Sequence, residues 1–204
     1  MTMQTDLYDG IVDDVVTLTN RPDLAAEIAI AVRTATLSVH SDAAYPRDLV
    51  AAAVRIPNPS YQFSIDAQSQ FPRLRGLSTV RLLDDNFTPV EFPEVEIIEL
   101  GDIRDAIYHE LKTNVCYIAG TSVNVKTSVP ASGILLEYFQ LPLIRREHYN
   151  SWIAQLAPDA IVYSAASILY STNGNEEKAA SYSKFYQTQL KPQLIANFLT
   201  SAMR

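Results

Sequence analysis

Gly133-Ile134-Leu135-Leu136-Glu137-Tyr138-Phe139-Gln140-Leu141-Pro142 is the stretch on which the fold turns. Ile134–Phe139 reads as a strand that leads to Leu141-Pro142. Beyond Leu143 the apolar spacing changes from strand-like to helical. Working back toward the N-terminus, strand-like runs appear at Ser122–Thr127, Val115–Ala119, Val95–Leu100, Thr79–Leu83 and Tyr61–Ile65. Several of them alternate with period two, as half-buried antiparallel strands do. Seven of the eleven prolines lie between Pro57 and Pro142, and Gly101–Ala106 is expected to interrupt the strands with a turn or a short helix.

Forward of Pro142 the helical pattern passes through Tyr149, Trp152, Ile153 and Leu156. Pro158-Asp159 opens a further helix in which Ile161, Ala165, Ile168 and Leu169 share a face. Asn173-Gly174 fits a left-handed C-terminal cap, and Asn175 with Glu176 and Glu177 fits the N-cap and first turn of the next helix. That last helix is predicted to run toward Ala202, on the order of 40 Å, unless Pro192 bends or breaks it.

The N-terminal segment is also helical. Leu7, Ile11, Val15 and Leu18 form one apolar stripe, which stops near Thr19-Asn20-Arg21-Pro22. Pro22 and Asp23 then suit the start of a second helix carrying Leu24, Ile28, Ala31, Val32, Ala35 and Val39, which ends around His40-Ser41-Asp42. Two helices joined by a tight turn make an antiparallel hairpin. The chain divides into a helical hairpin (1–53), a β-rich insertion (54–144) and C-terminal helices (145–204), an α+β fold.

The 204 residues, 48% hydrophobic and 19% charged, suffice for one large domain or two small ones, and a single fold of this size buries roughly 70% of its unfolded surface. Cys116 is the only cysteine, so no internal disulfide forms, which fits synthesis in a reducing cytoplasm. No basic n-region precedes an apolar run and no window reaches the length of a membrane span, so a membrane partner is not expected.

The net charge of −7 is uneven. Residues 1–53 carry 3 basic and 8 acidic side chains, 54–144 carry 7 and 11, and 145–204 carry 6 and 4. An acidic chain without a Lys/Arg cluster argues against tight binding of nucleic acid, which depends on several adjacent cations.

No nucleophile elbow, phosphate loop or dinucleotide fingerprint occurs. His40, His109 and His148 have no zinc-ligand spacing. Asp9, Asp13 and Asp14 read as the solvated face of the first helix. Catalytic residues, metal ligands and cofactors are therefore all assigned as none. An enzyme remains conceivable only through residues distant in sequence, such as His40 and Asp42 meeting His109, and a soluble protein-binding scaffold module is the other alternative.

Tyrosine is the unusual residue, with eleven copies. Tyr182 and Tyr186 lie one helical turn apart, and Tyr163 and Tyr170 two turns apart. Such pairs form either a helix–helix seam within the fold or a subunit interface.

The order Gly133–Phe139, Leu141-Pro142, Trp152–Leu156, Pro158–Tyr163, Leu169-Tyr170 and Asn173–Tyr182 with Phe185 resembles the head-to-tail adaptor (connector) proteins of tailed bacteriophages, of the short-tailed type. Asn20–Leu24 and Tyr45–Leu49 are similar too. The resemblance implies a four-helix core, built from the N- and C-terminal helices, with an inserted antiparallel β-sheet region.

The resemblance further implies a structural role in the virion: a homo-oligomeric ring of twelve copies at the portal–tail junction, contacting the portal protein and a tail or nozzle protein. Double-stranded DNA passes through such a ring without specific binding. The C-terminal arm is expected to dock on the portal, with Tyr182, Tyr186, Lys191, Pro192, Ile195, Phe198, Leu199, Met203 and Arg204 as protein-interface residues.

Overall fold

A computed structural model describes residues 3–98 and 112–199. It divides into two compact units, a helical one built from residues 1–48 with 141–204 and a β unit, Leu49–Gln140.

The helical unit starts with α1 (Met3–Thr19), which buries Tyr8, Ile11, Val15 and Thr19 along one stripe. Asn20 closes it in the left-handed conformation (φ 53°), a geometry that asparagine tolerates. A 3₁₀ turn at Pro22–Leu24 leads into α2 (Ala25–Ser41), whose inner face is Ile28, Ala31, Val32, Ala35, Thr36, Val39 and His40. After the β unit, the chain returns through α3 (Trp152–Leu156) to α4 (Pro158–Thr172).

Helix α4 buries Ala160, Ile161, Val162, Ser164, Ala165, Ala166, Leu169 and Tyr170. A helix apolar on so many sides must be wrapped by others, and α4 packs against α1, α2, α3 and α5 (Glu176–Phe185). Each large aliphatic side chain sealed here contributes about 1.5–3 kcal/mol. The turn into α5 follows the cap chemistry of its residues. Gly174 takes φ 73°, and the Asn175 side chain accepts the Lys178 N–H at 3.1 Å.

Pro192 neither ends nor breaks the last helical run. α5 passes into a π-helical segment, Tyr186–Leu190, and then α6 (Lys191–Leu199). In a regular α-helix the Pro192 ring meets the carbonyl of Thr188 and offers it no N–H. The wider turn just before Pro192, closed by the Lys191 N–H on the Tyr186 carbonyl, absorbs that conflict.

The β unit is organised around β5 (Ser122–Gln140). β1 (Leu49–Asp66) runs antiparallel along one edge of it. The other edge is shared by β4 (Val115–Ala119), opposite Ser122–Lys126, and β2 (Leu74–Leu83), opposite Gly133–Gln140. β3 (Glu96–Ile97) pairs with β4 in parallel, so the sheet is mixed, whereas the resemblance implies an antiparallel one. Its core gathers Ile65, Phe71, Val80, Leu82, Cys116, Val123, Val125, Ile134, Leu136 and Tyr138.

Two further departures from the sequence reading have physical causes. Leu49–Ala53, assigned to the helical hairpin, begins β1, because pairing with Phe139–Leu135 overrides the helical preference of Ala51-Ala52-Ala53. The runs Ser122–Thr127 and Ile134–Phe139, read as separate strands, are one strand through Pro130. The ladder is irregular there on the opposite side as well, with register shifts between Arg55 and Gln62 around Pro57 and Pro59, so the missing proline donor breaks no regular bond. Residues 141–144 fall in the helical unit, and the turn expected at Gly101–Ala106 lies outside the described residues.

Gly133 is fixed by close approach. A Cβ there would lie 2.6 Å from the Val54 carbonyl oxygen and 2.9 Å from the Phe87 ring.

Candidate functional site

The last turn of α2 aims His40 into the helical core, where it is fully buried. Its Nδ1 lies 3.0 Å from both carboxylate oxygens of Asp48, and its Nε2 lies 2.9 Å from the Ser151 hydroxyl oxygen. Asp48 also accepts the Trp152 indole N–H at 2.7 Å. The order Ser151, His40, Asp48 is that of a hydrolase triad, with the ring nitrogens facing the carboxylate through Nδ1 and the serine hydroxyl through Nε2.

Burial and hydrogen bonding argue against nucleophilic chemistry. Ser151 and His40 are both 0% exposed, and the Ser151 oxygen is the N-cap of α3, accepting the Ala154 N–H at 3.1 Å. A substrate carbonyl has no route to the oxygen, and the nearby amide that would steady an oxyanion is committed to the serine itself. What the array does is tie the end of α2, the turn Pro46–Asp48 and the start of α3 at one buried point, with every polar atom paired. Trp152 adds edge-on contacts to His40 at 5.6 Å and Tyr45 at 5.4 Å.

Asp42, two residues past His40, belongs to a different cluster. It accepts a hydrogen bond from the Tyr186 hydroxyl and pairs with the Lys191 ammonium at 3.2 Å. Burial, followed by this carboxylate, pushes the Tyr186 hydroxyl well above its ordinary range. The structure thus separates His40 from Asp42 in function, and His109 lies outside the described residues. Sequence reasoning missed Asp48 and Ser151, although Ser151 ahead of Trp152–Leu156 is a recognisable N-cap.

The C-terminal residues expected at a protein interface make contacts inside the chain. Tyr182 stacks on Tyr170 with ring centres 5.6 Å apart and meets Tyr163 edge-on at 6.0 Å. Tyr186 is buried, while Ile195 and Phe198 pack against the core around Leu194. Phe198 also meets Trp152 at 4.9 Å, and the Arg47 guanidinium lies over both rings, 5.6 Å from Trp152 and 5.5 Å from Phe198. Of the two openings left by the sequence, the rings occupy the seam within the fold. Pro192 is exposed, Leu199 ends α6, and Met203 and Arg204 lie outside the described residues.

The acidic residues of α1 do not converge. Asp9 forms a two-pronged bond with Arg146, at 2.8 and 2.6 Å, which holds its carboxyl below the usual range. Asp13 and Asp14 are exposed. Among the described residues no group of three His, Cys, Asp or Glu side chains is placed to hold a metal ion, and no helix is long and apolar enough to cross a membrane. The β unit holds an open cleft of about 660 Å³ lined by β2 and the Pro89–Ile97 strap, including Arg81, Glu91, Phe92 and Glu94. Among the described residues no histidine, cysteine or serine–histidine pair lines it. No protein-family model matches the chain, and no curated protein matches its sequence.

Proposed function

We propose that this chain is a non-catalytic structural subunit of a bacteriophage head-to-tail adaptor ring, joining the portal to the tail and forming part of the passage for DNA in the virion. The observation that carries the reading is the order of its parts. The two ends of the chain form one helical unit and a β unit is inserted between them, the arrangement that the adaptor resemblance implies. The acidic net charge of −7 suits a passage that must not retain the duplex. The buried state of the serine–histidine–aspartate array favours this reading over an enzyme.

Docking on the portal is assigned to the surface at the end of the C-terminal helix. Because Leu194 is buried and Phe198 packs on Trp152, a truncation after Pro192 damages the fold itself. Removal of residues 200–204 spares every described core side chain. The test mixes the purified full chain with the portal of the same phage and images the complex by electron microscopy. The reading requires an added ring of density beneath the portal, and weaker docking with unchanged thermal stability after removal of 200–204. A chain that never adds a layer to the portal overturns it.

A further inference from the structure

β1 stands at the end of the strand order, and among the described residues only β5 pairs with it. Its outer edge therefore presents N–H and C=O groups to a further strand. Over Leu49–Arg55 the register with Phe139–Gly133 runs without a shift, and the stretch contains no proline and no charge before Arg55. The other strands at the margin of the sheet are guarded. β2 shifts register twice, and its end is covered where the Val90 N–H reaches the Leu82 carbonyl at 3.0 Å. β3 has two residues. Bulges, prolines, charges and shortness are how sheets prevent pairing at an edge, and the first half of β1 has none of them.

The side chains of this half identify the partner. Leu49, Ala51 and Ala53 are exposed on one face, while Val50, Ala52 and Val54 on the other are half-buried against the core of the β unit. Val50-Ala51-Ala52-Ala53-Val54 reads the same in both directions. An antiparallel copy centred on Ala52 therefore sets Val50 opposite Val54, Ala51 opposite Ala53, and Ala52 opposite itself. The half-buried row continues into the second sheet, no charges oppose one another, and the alanines leave room for the approach.

We propose that a second copy of this chain adds its β1 antiparallel to this one, centred on Ala52, giving a two-fold dimer with one sheet continuous across the seam. The pairing is self-complementary, as a two-fold contact must be. It is a property of the free chain and does not rest on the adaptor reading, since a two-fold contact cannot by itself close a twelve-membered ring.

Two measurements on the full chain test it. Sedimentation equilibrium of the free protein should report twice the 22.7 kDa chain mass. The double variant Ala51→Lys, Ala53→Lys, which sets like charges opposite one another at exposed positions, should weaken that dimer by roughly tenfold or more while leaving its circular dichroism unchanged. Under mild oxidation Ala52→Cys should form a symmetric disulfide dimer, because its two copies face each other at about 4.5–5.5 Å between Cα atoms. Ala53→Cys should not, because its copies lie on the order of 8 Å apart, beyond bridging reach. The buried Cys116 serves as background in the parent chain. A monomer at all concentrations overturns the proposal, as does equal cross-linking at 52 and 53. A free chain that forms only many-membered rings overturns it too, while leaving the adaptor reading standing.

Discussion

Lys191 reaches the carboxylate of Asp42 at 3.2 Å from a helix position five residues beyond Tyr186, whose hydroxyl donates to that same carboxylate. In a regular α-helix two residues five apart point about 140° away from each other. The π-helical turn between them brings both onto one side, so Pro192, the wide turn and the double grip on Asp42 form one device.

Replacing Asp42 by alanine takes the shared partner from Tyr186 and Lys191 at once and leaves the partly buried Tyr186 hydroxyl without its acceptor. We expect a loss of about 1–3 kcal/mol in urea unfolding. Amide exchange should accelerate across 186–192 before it does in α4. Unchanged protection in that segment would show that the proline alone dictates the wide turn.

Gly133→Ala should destabilise the β unit by about 1–3 kcal/mol, because the new Cβ meets a backbone oxygen, that of Val54, at 2.6 Å. Trimming Phe87 to alanine relieves only the second contact, at 2.9 Å, so the double variant should recover little. Full recovery in thermal unfolding would place the obstruction at the ring instead of the backbone.

Ser151 should resist a fluorophosphonate probe in the folded protein, because its oxygen is sealed from solvent and serves as a helix cap. Ser151→Ala should cost about 1–3 kcal/mol, from the lost cap and the unpaired face of His40. Labelling of Ser151 under native conditions would contradict the structural role assigned to it.

Alkaline pH should unfold the protein cooperatively. Burial pushes the Cys116 thiol from 9.0 up to about 12 and the Tyr149 hydroxyl from 10.0 up to about 12, and the Tyr186 hydroxyl moves in the same direction. The folded chain thus keeps protons that the unfolded chain releases, so these groups contribute fully below pH 9 and progressively less as pH rises toward 12. Each subtracts about 1.4 kcal/mol per pH unit within its window. Cys116→Ala should therefore flatten the decline between pH 9 and 10 in denaturant titrations, while Tyr149→Phe flattens it only above pH 10.

How much of this was legible in sequence depended on how local the cause was. The α4–α5 turn follows from Asn173–Glu177 alone, and β4 from five consecutive residues, so both could be read directly. The start of β1 could not be, because Ala51-Ala52-Ala53 favours a helix until Phe139–Leu135 lies beside it. The continuity of Ser122–Gln140 through Pro130 was hidden for the same reason, since the irregular partner around Pro57 and Pro59 that tolerates the proline is remote in the chain. The buried array was the least legible. His40 lies 8 residues from Asp48 but 111 from Ser151, and only the packing of α2 against the later helices brings them together. The tyrosines were visible as a group, whereas their inward direction depends on α4, which no count of residues shows.

The pairing of Leu49 with Phe139 sets the entrance and exit of the β unit side by side. From the standpoint of the helical unit, the whole excursion is a loop whose two ends are already hydrogen-bonded, and the entropy of closing a long loop, which grows only slowly with its length, is met within the sheet's own ladder.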